Sequence, residues 1–112
     1  MFAEFEKIIH GRVENGEALT TEALCAIYRD LNTLYFGKDM VIDSEIDMEW
    51  ARIPHFYSSF YVYKYATGFS AATALSKQIL EEGTPAVTRY MEFLKSGDSE
   101  LINLLQKAGV DL

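Results

Sequence analysis

Seven of the fifteen residues from His55 to Phe69 are aromatic, and Pro54 stands directly before them. Proline is tolerated in the first turn of a helix but not in its interior, so a helix should open at Pro54. No further proline or strong stop follows until Gly83, which predicts one long aromatic-rich helix over about 54–82. Gly68 is its one weak point, costing about 1 kcal/mol relative to alanine unless close packing needs it.

At 100° per residue this helix carries two stripes. Tyr57, Tyr61, Tyr65 and Gly68 fall within about 80° of one another, and Phe56, Phe60, Tyr63 and Thr67 form a second stripe centred roughly a third of a turn away. A helix that is apolar nearly all round belongs in an interior, and the rest of a 112-residue chain offers cover for one broad face of it. The tyrosines are then either core residues with hydroxyls reaching the boundary, or they point several hydroxyls into a polar cleft. His55 has two readings as well: a capping, partly exposed side chain, or a hydrogen-bond donor or proton shuttle in a cleft.

The remaining sequence is helical in period almost throughout. Phe2, Phe5, Ile9 and Val13 recur at helical spacing, and the run ends near Asn15 and Gly16. Thr20 or Thr21 caps a second helix with Glu22 in its first turn, and Leu24, Ile27, Tyr28, Leu31, Leu34 and Tyr35 form its stripe before Gly37. Ser44 caps a brief helix from Glu45 to about Arg52 that carries Trp50. Thr84 caps another helix with Pro85 at its first position and Val87, Tyr90, Met91 and Leu94 along it, and that helix stops at Ser96-Gly97; Asp98 or Ser99 starts the last, which Gly109 closes. With no β-alternation and no internal repeat, the fold class is all-α: a bundle of about five to six helices, in a single helical domain over residues 1–112.

Charge and motifs narrow the function. The net charge is −7, which repels phosphate backbones and anionic lipid, so neither nucleic acid nor a membrane surface is an expected partner. The N-terminal residues carry acids where a secretory leader carries bases, and no stretch of about 18 uncharged apolar residues occurs. A single cysteine, Cys25, forms no internal disulfide and sits in an apolar stripe, so we expect a buried structural thiol and a cytoplasmic location. The two histidines, His10 and His55, are far apart and no His-Glu-x-x-His occurs, so no helical two-histidine zinc site forms. Glycine-rich phosphate loops and Gly-x-Ser-x-Gly elbows are absent too. Glu4 and Glu6, like Glu81 and Glu82, read as solvated helix surface.

The run Trp50-Ala51-Arg52-Ile53-Pro54-His55-Phe56-Tyr57, continuing Phe60-Tyr61-Val62-Tyr63-Lys64-Tyr65-Ala66-Thr67-Gly68, resembles the C-terminal signature of the oligoendopeptidase F family. That family belongs to the thimet-oligopeptidase-like zinc peptidases. Similarity extends to Met1-Phe2-Ala3-Glu4-Phe5-Glu6, Ala18-Leu19-Thr20, Ala71-Ala72, Phe93-Leu94-Lys95-Ser96-Gly97 and the ending Leu105 to Asp111, effectively the whole chain. The resemblance implies an all-helical peptidase whose zinc ligands lie upstream of Met1, with zinc as cofactor of the full-length enzyme, none in this chain, and oligopeptides as substrates. It also implies that His55 and one or more of Tyr61, Tyr63 and Tyr65 donate hydrogen bonds to the peptide carbonyl. Helical phase favours Tyr61 and Tyr65, which share a stripe. Tyr57 and Tyr63 then line the substrate channel, and Gly68 lets backbone or substrate approach closely. The isolated chain is expected to be inactive. The competing expectation is a stand-alone interaction module that forms a homodimer, or binds another partner, through the 55–75 helix.

Overall fold

A computed structural model describes residues 1–97 and 100–111. The fold class is the expected one: among the described residues there are helices and no strand. Five α-helices are present, α1 (Phe2–Glu14), α2 (Thr21–Phe36), α3 (Tyr63–Glu82), α4 (Thr84–Lys95) and α5 (Leu101–Lys107), with 3-10 segments at Ser44–Arg52 and Pro54–Tyr57. They belong to two compact units, Met1–Lys64 and Tyr65–Leu112.

In the first unit the apolar stripes of α1 and α2 meet. Phe5, Ile27, Tyr28 and Leu31 form the buried cluster, with Ile8, Leu24, Trp50 and Phe56 packed against it. Phe5 and Tyr28 are the largest fully buried side chains, and their rings meet edge to face at 5.3 Å. Burial of a ring of this size stabilises by about 2–3 kcal/mol, and the edge-to-face pair adds about 1 kcal/mol. The Thr20 hydroxyl accepts from the Ala23 N–H at 3.2 Å, the expected cap of α2, and Gly37 ends that helix at φ +78°. The brief helix carrying Trp50 is present in the tighter 3-10 form, with Asp43 at its cap position. Cys25 is half-buried rather than buried.

The long helix starts later than its proline implies. Pro54 opens a single 3-10 turn, the backbone bends through Ser58–Val62 with Phe60 at φ +56°, and α3 begins only at Tyr63. A residue at positive φ cannot continue a right-handed helix. Local sequence gives no reason for the break, since no glycine or proline lies between Pro54 and Gly68. Side chains from α1 meet the backbone at this break, as described below.

The second unit is built on local signals. Ala71 and Leu75 of α3 pack with Leu105, Ala108 and Val110, and Ala74, Tyr90 and Phe93 lie against this cluster. Gly83, at φ +70°, turns the chain from α3 into α4, where Pro85 occupies the first turn. The Arg89 guanidinium donates to the Glu82 carboxylate at 2.7 Å across that turn. The Gln78 amide donates to the Gly109 carbonyl at 2.7 Å and ties the C-terminal residues to α3. Asp98 and Ser99, expected to open α5, lie outside the described residues.

Candidate functional site

The segment from Pro54 to Lys64 carries most of the residues singled out from sequence. Phe56 is its anchor, half-buried and in edge-on contact with Phe2 at 5.8 Å and Phe5 at 5.1 Å. With Phe56 turned inward, its neighbours His55 and Tyr57 are exposed. The Tyr57 hydroxyl donates to the Ala51 carbonyl at 2.7 Å, so its position is fixed although the residue is 73% exposed.

Three consecutive backbone N–H groups at the start of α3 share one acceptor. Tyr61 and Val62 donate to Oε1 of Glu6 at 3.0 and 3.4 Å, and Tyr63 donates to Oε2 at 3.0 Å. The first N–H groups of a helix have no partner within it and favour negative charge, so a carboxylate satisfies both needs at once. Glu6 is 3% exposed; the expectation that it is solvated surface is wrong, because it caps a helix more than fifty residues away. A sequence signal was available: Glu6 falls inside the stripe of Phe2, Phe5 and Ile9, four residues after the first and three before the last. Glu4, by contrast, accepts from the exposed Tyr35 hydroxyl at 2.8 Å, and that bond raises the Tyr35 pKa.

This arrangement brings His55 and Tyr61 together, with ring centroids 5.3 Å apart and planes tilted by 30°. The Lys64 ammonium lies 5.0 Å above the Tyr61 ring, a cation–π distance. His10, one turn after Glu6 on α1, stacks on Phe60 at 4.1 Å. Tyr63 is exposed at the first position of α3. Because Tyr61 precedes α3, the helical phase that grouped it with Tyr57 and Tyr65 does not apply. Tyr65 and Gly68 lie in the second unit, both exposed. A Cβ added at Gly68 meets nothing within 4 Å, so no packing among the described residues requires glycine there.

A concavity lies elsewhere in the first unit. It is an open groove of about 960 Å³ lined by Phe36, Met40, Val41, Ile46 and Met48, with Asn32 among its polar residues. None of His55, Tyr57, Tyr61 and Tyr63 lines it. Beside it, the buried Tyr28 hydroxyl donates to Glu49 at 2.7 Å, and Glu49 also pairs with Arg52. Burial, then the bond to Glu49, pushes the Tyr28 pKa well above its ordinary value. Among the described residues no three His, Cys, Asp or Glu side chains gather to hold a metal ion, and no helix is long and apolar enough to cross a membrane.

Comparison with known proteins gives a consistent set. The profile of peptidase family M3 matches residues 1–112. The chain is similar to oligopeptidase PepF of Bacillus subtilis (strain 168), 62% identical over 113 residues that cover 100% of this chain and 17% of that protein. It is similar to the plasmid oligoendopeptidase F of Lactococcus lactis subsp. cremoris, 46% identical over 112 residues covering 99% of this chain and 19% of the relative. The group B oligopeptidase PepB of Streptococcus agalactiae serotype III (strain NEM316) is 44% identical, covering 99% of this chain and 19% of the relative. The chain thus spans less than a fifth of the length of these relatives. No solved structure matches it significantly.

Proposed function

We propose, since this chain belongs to peptidase family M3, that it forms the helical part of an oligoendopeptidase that binds short peptides and stabilises the transition state of their hydrolysis. The observation that carries this reading is the exposed pair of His55 and Tyr61, 5.3 Å apart on a backbone bend that a buried carboxylate holds. The two rings lie side by side on this bend, and an imidazole with a phenol suits a carbonyl oxygen that becomes an oxyanion. Such donors act because they are in place before charge develops.

Peptidase family M3 is a family of zinc metallopeptidases. The described residues of this chain do not gather as zinc requires, and the sequence contains no His-Glu-x-x-His. The chain's own residues bind and orient the peptide. His55 and Tyr61 donate to its carbonyl. The Tyr57 hydroxyl is committed to the Ala51 carbonyl, so its ring lines the substrate path and does not donate, beside Tyr63. Separated from the metal-binding part of such an enzyme, this chain cleaves no peptide.

A chimera tests the reading. This chain replaces the matching segment of the Bacillus subtilis PepF, to which it is 62% identical, and cleavage of a fluorogenic oligopeptide is followed. The 112-residue chain alone should show no turnover. In the chimera, Tyr61→Phe should lower kcat about 100-fold with little change in KM, the scale of losing one oxyanion donor. Wild-type kcat in that variant would sink the proposal.

A further inference from the structure

We infer that Glu6 is a positioning residue for the proposed site, its carboxylate on α1 holding the backbone that places Tyr61 beside His55. The inference rests on the functional reading above and adds to it a residue that does not touch substrate.

Nothing local specifies the bend at 58–62. It contains no glycine or proline, and it places a phenylalanine at φ +56°, a conformation that side chains with a Cβ disfavour. Two contacts from one helix compensate. Glu6 accepts from the N–H groups of Tyr61, Val62 and Tyr63, and His10, four residues along α1, stacks on Phe60 at 4.1 Å. Residues four apart share a helix face, so α1 holds the bend at two successive points. An ionised carboxylate is acceptor-only and has room for several donors, and a glutamine of the same shape has not. Its amide NH2 would confront either Tyr63 or the Tyr61–Val62 pair, donor against donor. The bend would then relax, and the Tyr61 ring, fixed to it by one Cα, would move relative to His55.

Two measurements decide the matter. In the PepF chimera, Glu6→Gln should lower kcat at least tenfold, with KM changed less than about twofold, since a displacement near 1 Å in a positioned group costs on the order of 100-fold. Glu6→Asp, which keeps the charge on a shorter arm, should fall between wild type and Glu6→Gln. All values are taken per folded molecule, counted by titration with a tight-binding inhibitor, so a merely structural role would leave kcat unmoved. In the 112-residue chain itself, Glu6→Gln should speed amide hydrogen exchange at Tyr61, Val62 and Tyr63 about tenfold or more while Ile27 and Leu31 keep theirs. If Glu6→Gln does not fold, Glu6→Asp is read in both assays. Unchanged kcat per folded molecule, or unchanged exchange at 61–63, overturns the inference. Wild-type kcat in Tyr61→Phe instead overturns the functional reading, and the exchange measurement then still decides whether Glu6 holds the bend.

Discussion

The bend before α3 and the bend after it both use a positive φ, one at Phe60 and the other at Gly83. After α3, glycine adopts the angle without a Cβ penalty, proline follows in the first turn of α4, and Arg89 and Glu82 close the turn from seven residues apart. Before α3, a phenylalanine takes the angle, and its holds come from Glu6 and His10 on a helix some fifty residues earlier. The first kind of bend forms from its own residues. The second is met by contacts from α1, far away in the sequence.

The first unit depends on buried polar pairs more than the second, and Tyr28 gives the largest test of that difference. Its hydroxyl donates to a carboxylate at 2.7 Å in a buried setting, so Tyr28→Phe should cost about 2 kcal/mol at neutral pH. The sequence holds a single tryptophan, Trp50, packed on the first unit's core, so a urea titration followed by its fluorescence reads this unit alone. The pH dependence carries a sign. Burial first, then Glu49, raises the Tyr28 pKa above its ordinary 10.0. Its stabilisation is therefore complete below that value and is lost as pH rises past it, by about 1.4 kcal/mol per pH unit while only the unfolded phenol ionises. Tyr35, raised by its bond to Glu4, adds a smaller loss of the same sign. A Tyr28→Phe chain that keeps the full alkaline slope would show that the buried pair is not what distinguishes the first unit.

The same contrast explains what could be read from the residues alone. The Thr20 cap, the stops at Gly16 and Gly37, and the proline in the first turn of α4 are local, and each stands where its chemistry predicts, whereas Thr84 is the first residue of α4 and Gly83 takes the cap position expected of it. The all-α class follows from spacing that needs no tertiary knowledge. The start of α3 does not follow, because Pro54 satisfies every local rule for opening a long helix, and the acceptor for the first N–H groups of α3 is a carboxylate far away in sequence. That one displacement removed the phase argument for Tyr61 and Tyr65 while leaving His55 and Tyr61 adjacent. Glu6 reads as surface because an acid near the start of a helix usually faces water, and only its place within an apolar stripe points the other way.

In the second unit, Gly83→Ala should cost about 1.5 kcal/mol, the penalty for a Cβ at φ +70° with no partner from elsewhere to offset it. Nothing lies within 4 Å of the added Cβ, so the cost is conformational and not steric crowding. The amide exchange of Leu75, in that unit's core, reports it. A change below a few tenths of a kcal/mol would mean that this bend too is imposed from outside.

The smallest effect is the most discriminating, because it separates the angle at Phe60 from the contact it makes. Phe60→Ala loses the stacking on His10 and keeps the cost of φ +56°. Phe60→Gly loses the same stacking but adopts the angle freely, at the expense of extra freedom in the unfolded chain. The left-handed penalty is about 1–2 kcal/mol and the unfolded-state term about 0.4–1 kcal/mol, so glycine should be the more stable of the two by about 0.7 kcal/mol. Trp50 fluorescence in urea reads the difference within one unit. If alanine equals or exceeds glycine, the bend re-forms at negative φ once the ring is gone, and it is then the His10–Phe60 stack, and not the Glu6 carboxylate, that imposes the left-handed angle.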